Sequence, residues 1–233
     1  MLFDYTDVSE ENLTYHVHVT LKNLLNSIKP RVVTILTGGN ALGKSFIRKQ
    51  LPFSILEKLK IEEPETDFKV NRLVSQVSMQ LRTDSNPLWG ALSSIGADLP
   101  WESTSEHTIT SIKGLLKAVT ESEDPKDKRY LVIDELEIGM SKEVTLGMCE
   151  YLNSILDEIL PKTYGILVIT HSEIVVRTLK HFEFLNIEGL NEKDWLDRKI
   201  EPIDPSILQN WSDKLCSYII SLEKKARDEK NKK

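Results

Sequence analysis

An apolar run, Val32-Val-Thr-Ile-Leu36, leads into Gly38-Gly39-Asn40-Ala41-Leu42-Gly43-Lys44-Ser45, and a helical pattern from Phe46 to Lys58 follows. This is G-x-x-x-x-G-K-[ST] in the strand–loop–helix setting that a phosphate-binding loop needs. Small residues let successive backbone N–H groups curl round a β-phosphate, and the helix N-terminus adds its positive dipole end. Lys44 is expected to reach the β- and γ-phosphates, and the Ser45 hydroxyl to ligate magnesium. The expected nucleotide contacts run from Gly38 through Gly39, Asn40, Ala41, Leu42, Gly43, Lys44 and Ser45 to Phe46, with ATP and Mg2+ as the ligands.

Strand-like runs alternate with helical patterns, which predicts an α/β fold with a mostly parallel sheet flanked by helices. Tyr15-His-Val-His-Val19 alternates at period two and reads as a strand carrying His16 and His18. The stretches 31–36, 68–79, 130–133 and 166–169 read as central strands, and 184–187 as a short one. Between 81 and 120 the texture changes, with Gly90, Gly96 and Pro100 before a helix-like 108–119, and an inserted helical subdomain is expected there. Helices are expected from Glu173 to His181 and from Pro205 to about Lys225. The second carries an apolar face of Ile207, Leu208, Trp211, Leu215, Tyr218, Ile219 and Leu222, and a charged tail follows it. One domain over 1–233 accommodates all of these.

Two further strand ends carry chemistry. Tyr130-Leu-Val-Ile-Asp134-Glu135 delivers a carboxylate to the C-terminal edge of a strand, where open α/β sheets place their ligands. Asp134 is expected to hold magnesium, and Glu135 to accept a proton from the attacking water. Gly165-Ile-Leu-Val-Ile-Thr170-His171-Ser172 repeats the design, and His171 can donate a hydrogen bond to a γ-phosphate. The other histidines have no metal-ligand spacing and read as ordinary strand or surface residues.

The pairing of an Asp-Glu strand end with a later apolar-x-Thr-His strand end resembles the ABC-class ATPases, including non-transport members in chromosome maintenance, DNA repair and phage defence. The resemblance covers most of the chain. Asp134-Glu-Leu-Glu-Ile-Gly-Met-Ser141 is similar to the D-E-P-E-x-G-L-[SH] run of small soluble members, which makes Ile138 to Ser141 the D-loop and His171 the switch histidine by resemblance. It implies a glutamine-loop residue, for which Gln76 and Gln80 both qualify. It also implies a signature serine ahead of a helix, for which Ser103 and Ser105 in Glu102-Ser-Thr-Ser-Glu106 are the counterparts. The sequence L-S-G-G-Q itself is missing, and there is no room for a long coiled-coil insertion. The implied activity is ATP hydrolysis, switched by ATP-dependent head-to-tail homodimerisation that acts on a protein partner or on DNA.

Other classes fit less well. A transporter ATP-binding subunit would carry a strong signature, and a small-molecule kinase an Arg-rich lid, whereas Arg48, Arg72 and Arg82 are scattered. A GTPase would need N-K-x-D, and Asn191-Glu-Lys-Asp194 has another order. A nucleotide-dependent scaffold with little hydrolysis is the remaining alternative. The net charge of −6 gives no global attraction to nucleic acid, although the tail from Lys224 to Lys233 is locally basic. The acidic start, Met1 to Asn12, is unlike a secretory leader, no apolar run is long enough to span a membrane, and a cytoplasmic location without direct membrane insertion is expected. Cys149 and Cys216 lack C-x-x-C spacing and read as buried apolar fillers. Trp195, in the charged loop 194–204, reads as a core anchor under the last helix.

Overall fold

A computed structural model describes residues 7–27, 29–38, 74–77, 104–122, 128–199 and 204–230. Its strands are β1 (Val33–Thr37), β2 (Val74–Val77), β3 (Arg129–Asp134), β4 (Thr163–Ile169) and β5 (Phe182–Asn186). The helices are α1 (Glu10–Ser27), α2 (Thr104–Thr120), α3 (Lys142–Ile159), α4 (Glu173–Thr178), α5 (Glu192–Asp197) and α6 (Pro205–Lys230). The strands form one sheet in the order β2-β3-β4-β1-β5, and every neighbouring pair is parallel. The expected α/β class with a parallel sheet and flanking helices is what the chain adopts. β2, expected to be central, is the outermost strand on its side among the described residues.

The sheet is covered on both faces, which is why β1, β3 and β4 are apolar without alternation. Val33, Ile35, Leu131, Ile133, Ile166 and Val168 point to one face. There they meet Ile112, Leu116 and Val119 of α2, Met148, Leu152 and Leu156 of α3, and Val175 and Val176 of α4. Leu36, Val132, Leu167 and Ile169 point to the other face and pack with Leu24 of α1. Each aliphatic side chain buried to this degree contributes about 1.5–3 kcal/mol. Tyr130 also lies on the second face, and Gly165 is the residue that admits it. A Cβ on Gly165 would meet the tyrosine ring at 2.9 Å, and its φ of +154° is one that side-chain-bearing residues avoid.

The expected strand at Tyr15–Val19 lies inside helix α1. Ser9 starts that helix by accepting a hydrogen bond from the Asn12 N–H at 3.2 Å, and Glu10 and Glu11 occupy its first turn. The buried Leu13 and Leu24 fall about three turns apart and so share a face. A five-residue alternation is too short to outweigh that longer period. Leu13 packs with Trp211 and Leu215 of α6, and the Thr14 and Tyr218 hydroxyls are 2.6 Å apart. The apolar face expected for α6 is the face it buries. Cys149 is buried as expected, but Cys216 is exposed, turned away from the buried Trp211 and Leu215 on α6.

Trp195 is in the core, but not beneath α6. It sits on α5, 1% exposed, with its ring 6.0 Å from that of Phe184 on β5, and Arg198 lies over its outer face at 3.9 Å. Asn191 caps α5 by accepting from the Asp194 N–H at 2.8 Å, so the segment compared with a guanine-reading motif has a structural role. Among the described residues no helix is long and apolar enough to cross a membrane.

Candidate functional site

Parallel pairing brings three strand ends to one edge of the sheet. Asp134 pairs with Ile169, Ile169 with Leu36, and Leu36 with Leu185, so all four lie in one row. The Glu135 N–H donates to the Ile169 carbonyl at 2.8 Å, and the Thr170 N–H to the Leu36 carbonyl at 3.0 Å. These bonds extend the ladder one step past the strands. Glu135, Thr170 and Thr37 therefore stand side by side, with His171 and Gly38 beyond them. β4 lies between β1 and β3, which puts His171 between the start of the glycine-rich loop and the two carboxylates.

Glu135 has a φ of +56°, in the left-handed region that a side-chain-bearing residue rarely occupies. Leaving the strand in this conformation sends the chain into a turn, closed by bonds from the Ile138 N–H to the Glu135 carbonyl and from the Met140 N–H to the Glu137 carbonyl, both 3.0 Å. Across this turn the His171 Nε2 is 3.6 Å from the Glu135 Oε1, and the two side chains are 31% and 34% exposed. Solvent reaches both, and they face a common space. Ser141, in the segment likened to a D-loop, caps α3 by accepting from the Val144 N–H at 3.4 Å.

Glu137, for which the sequence suggested no role, returns from the same turn to the end of β4. Its Oε1 accepts from the Thr170 Oγ1 at 2.8 Å and from the His171 N–H at 2.9 Å. The Thr170 hydroxyl accepts in turn from the Ser172 N–H at 2.9 Å. The signal for Glu137 was the second glutamate of Asp134-Glu-Leu-Glu137, which without coordinates looks like another surface acid. A second unexpected contact braces the loop entry. The buried Asn186 donates from Nδ2 to the Thr37 Oγ1 at 3.0 Å, while its Oδ1 accepts from the N–H groups of Glu188 and Leu190. Ile187 then packs on the buried Gly38 so closely that a Cβ there would lie 3.0 Å from the Ile187 Cβ.

Of the expected site residues, Asp134, Glu135, His171 and Gly38 are described and share this edge. Gly39, Asn40, Ala41, Leu42, Gly43, Lys44, Ser45, Phe46, Gln80 and Ser103 lie outside the described residues. Gln76 is in β2 opposite Val132, two residues short of the row of Asp134 and so about 7 Å inside the edge. Ser105 is in the first turn of α2, which begins at Thr104. The two residues expected to hold magnesium are Ser45, outside the described residues, and Asp134. Among the described residues no group of three or more potential ligands could hold a metal alone. The donor set at the edge is oxygen-rich, from Asp134 and Glu135, and suits a hard cation shared with phosphate oxygens.

No family model matches the chain, and no curated protein matches it. Among the solved structures that resemble it are two that match over 76% of its length. One is PCH-2 of C. elegans, with 13% identity, a TM-score of 0.33 and 40% of that chain covered. The other is the ORC2 protein of Aeropyrum pernix in ADPNP-ADP complexes, with 14% identity, a TM-score of 0.32 and 47% of that chain covered. The chain thus spans less than half the length of either. With likenesses this distant, the fold rests on the chain's own strand pairing.

Proposed function

We propose that the chain is an ABC-like ATPase that binds ATP with magnesium, hydrolyses it and pairs head to tail with a second copy in the ATP-bound state. The observation that carries this reading is the single edge on which the strand entering Gly38 to Ser45, the Asp134-Glu135 end of β3 and the His171 end of β4 stand in adjoining rows. A phosphate loop alone would serve many nucleotide-binding folds. A carboxylate pair and a histidine that face each other beside it supply a proton acceptor and a γ-phosphate donor, which hydrolysis requires.

In this reading the loop backbone and Lys44 hold the β- and γ-phosphates, and Ser45 and Asp134 hold the magnesium. The ion, when bound, neutralises charge that develops on the phosphate oxygens. Glu135 takes the proton of the attacking water, and His171 donates to the γ-phosphate. Gln80 fits the glutamine-loop role better than Gln76, because the register leaves Gln76 inside the sheet. Ser103 or Ser105, at the start of α2, closes the γ-phosphate of the partner copy, as a two-fold dimer with shared sites requires. The acidic net charge favours a protein as the target, with DNA second.

Calorimetry and light scattering on three proteins test the reading. Lys44→Ala should fold and fail to bind ATP. Glu135→Gln should bind ATP with magnesium, lose most turnover and accumulate as a dimer, and adding Ser103→Arg/Ser105→Arg to it should abolish the dimer. Unchanged ATP affinity in Lys44→Ala would refute nucleotide binding at this loop. A Glu135→Gln protein that stays monomeric with ATP would refute the dimer switch.

A further inference from the structure

We infer that Glu137 is a positioning residue, which locks the end of β4 so that His171 faces Glu135. One carboxylate oxygen accepts both the Thr170 hydroxyl at 2.8 Å and the His171 N–H at 2.9 Å. Thr170 is fully buried, and its N–H is bound to Leu36 of β1. The backbone of His171 is therefore held from two sides, by β1 through Thr170 and by the turn after β3 through Glu137. The second carboxylate oxygen, Oε2, is buried and has no hydrogen-bond partner among the described residues. A carboxylate brought into that setting is retained by strong bonds at its other oxygen, since charge-assisted hydrogen bonds are about twice as strong as neutral ones.

The catalytic half of this inference rests on the ATPase reading. If His171 donates to the γ-phosphate, its imidazole must be placed to within about 0.5 Å. The backbone bond from Glu137 fixes the Cα from which that imidazole projects. Glu137 itself touches neither His171 Nε2 nor the Glu135 carboxylate through any of these bonds. It acts on the reaction only through the backbone, by tying the turn after β3 to the end of β4.

Three variants of the full chain separate the possibilities. Glu137→Leu removes the acceptor, Glu137→Gln keeps an oxygen able to accept both bonds, and Thr170→Val removes one donor at constant shape, which also covers a Glu137→Leu protein that fails to fold. Amide hydrogen exchange without nucleotide should be slow at His171 in the parent and in Glu137→Gln, and fast in Glu137→Leu. Thr170→Val takes one of the two bonds from the Glu137 carboxylate, so exchange at His171 should be faster there than in the parent. ATP turnover should fall about 100-fold in Glu137→Leu with ATP affinity unchanged, and Glu137→Gln should restore it. Exchange at His171 unaltered in Glu137→Leu, or in Thr170→Val where Glu137→Leu fails to fold, overturns the inference. So does turnover equal to the parent's. If the parent neither binds nor hydrolyses ATP, the ATPase reading fails, and the exchange rates still decide whether Glu137 holds His171.

Discussion

Replacing Glu135 should make the protein more stable in some forms and inactive in all, because this residue combines the chemical role proposed for it with an unfavourable backbone. Its φ of +56° lies in the left-handed region, which costs a residue with a Cβ roughly 1–2 kcal/mol. Glu135→Gln keeps the Cβ and therefore the strain. Glu135→Asn relieves much of it, since asparagine visits this region readily. Glu135→Gly removes it but loosens the unfolded chain, which costs about 0.4–1 kcal/mol. All three lose the facing of Glu135 and His171, a partly exposed pair worth about 0–1 kcal/mol. Differences among the three therefore isolate the backbone. Asparagine should exceed glutamine by about 1 kcal/mol, or roughly 2–4 °C in melting temperature for a chain of this size, with glycine between them. Each should lose about 10²–10⁴-fold in turnover. Thermal melts and urea titrations of the three, with ATP turnover alongside, check this. A glutamine variant that melts at or above both others would refute the strain argument.

Two further predictions follow from the loop entry and the thiols. Gly38→Ala places a Cβ 3.0 Å from the Ile187 Cβ and 3.2 Å from its Cγ1 and Cδ1, so it should cost about 1–3 kcal/mol in urea titrations and weaken ATP binding. Adding Ile187→Ala should recover part of both. Burial, with smaller contributions from the Glu137 and Glu150 carboxylates, pushes the Cys149 thiol up to about 12. A raised thiol pKa leaves the unreactive protonated form dominant below that pH, so a colorimetric thiol reagent at pH 8 should titrate one fast thiol per chain, the exposed Cys216, and a second only after unfolding.

Much of this was legible because both faces of the sheet are covered. β1, β3 and β4 read as mainly apolar runs that close on or just before a polar residue, Thr37, Asp134 and Thr170. α1 misled the eye because its alternating stretch is embedded in a helix whose buried residues, Leu13 and Leu24, are widely spaced. α3 was not among the expected elements, although Met148, Cys149, Leu152, Leu156 and Ile159 recur at helical spacing. Its apolar residues are diluted by the polar face between two motifs that draw attention. The burial of Trp195 is readable from its residue type, but its neighbour, Phe184 of β5, is not. The register was wholly hidden. Nothing local places Gln76 two residues inside the edge.

Glu137 was hidden for the same reason, and its position bears on why the turn after β3 holds its shape. The left-handed φ of Glu135 swings the chain so that Glu137 comes back over β4, and without that bend the carboxylate would not reach Thr170 and the His171 N–H. The strain of roughly 1–2 kcal/mol at Glu135 is opposed by two hydrogen bonds to a charged group, each worth about 1.5–3 kcal/mol. The turn can therefore hold its bent form. Two residues apart, one glutamate faces the histidine side chain and the other fixes that histidine's backbone. The pairing also makes the turn a single unit. A change that releases Glu137 removes the bonds that oppose the strain at Glu135, so in Glu137→Leu the turn should relax and carry the Glu135 carboxylate away from His171.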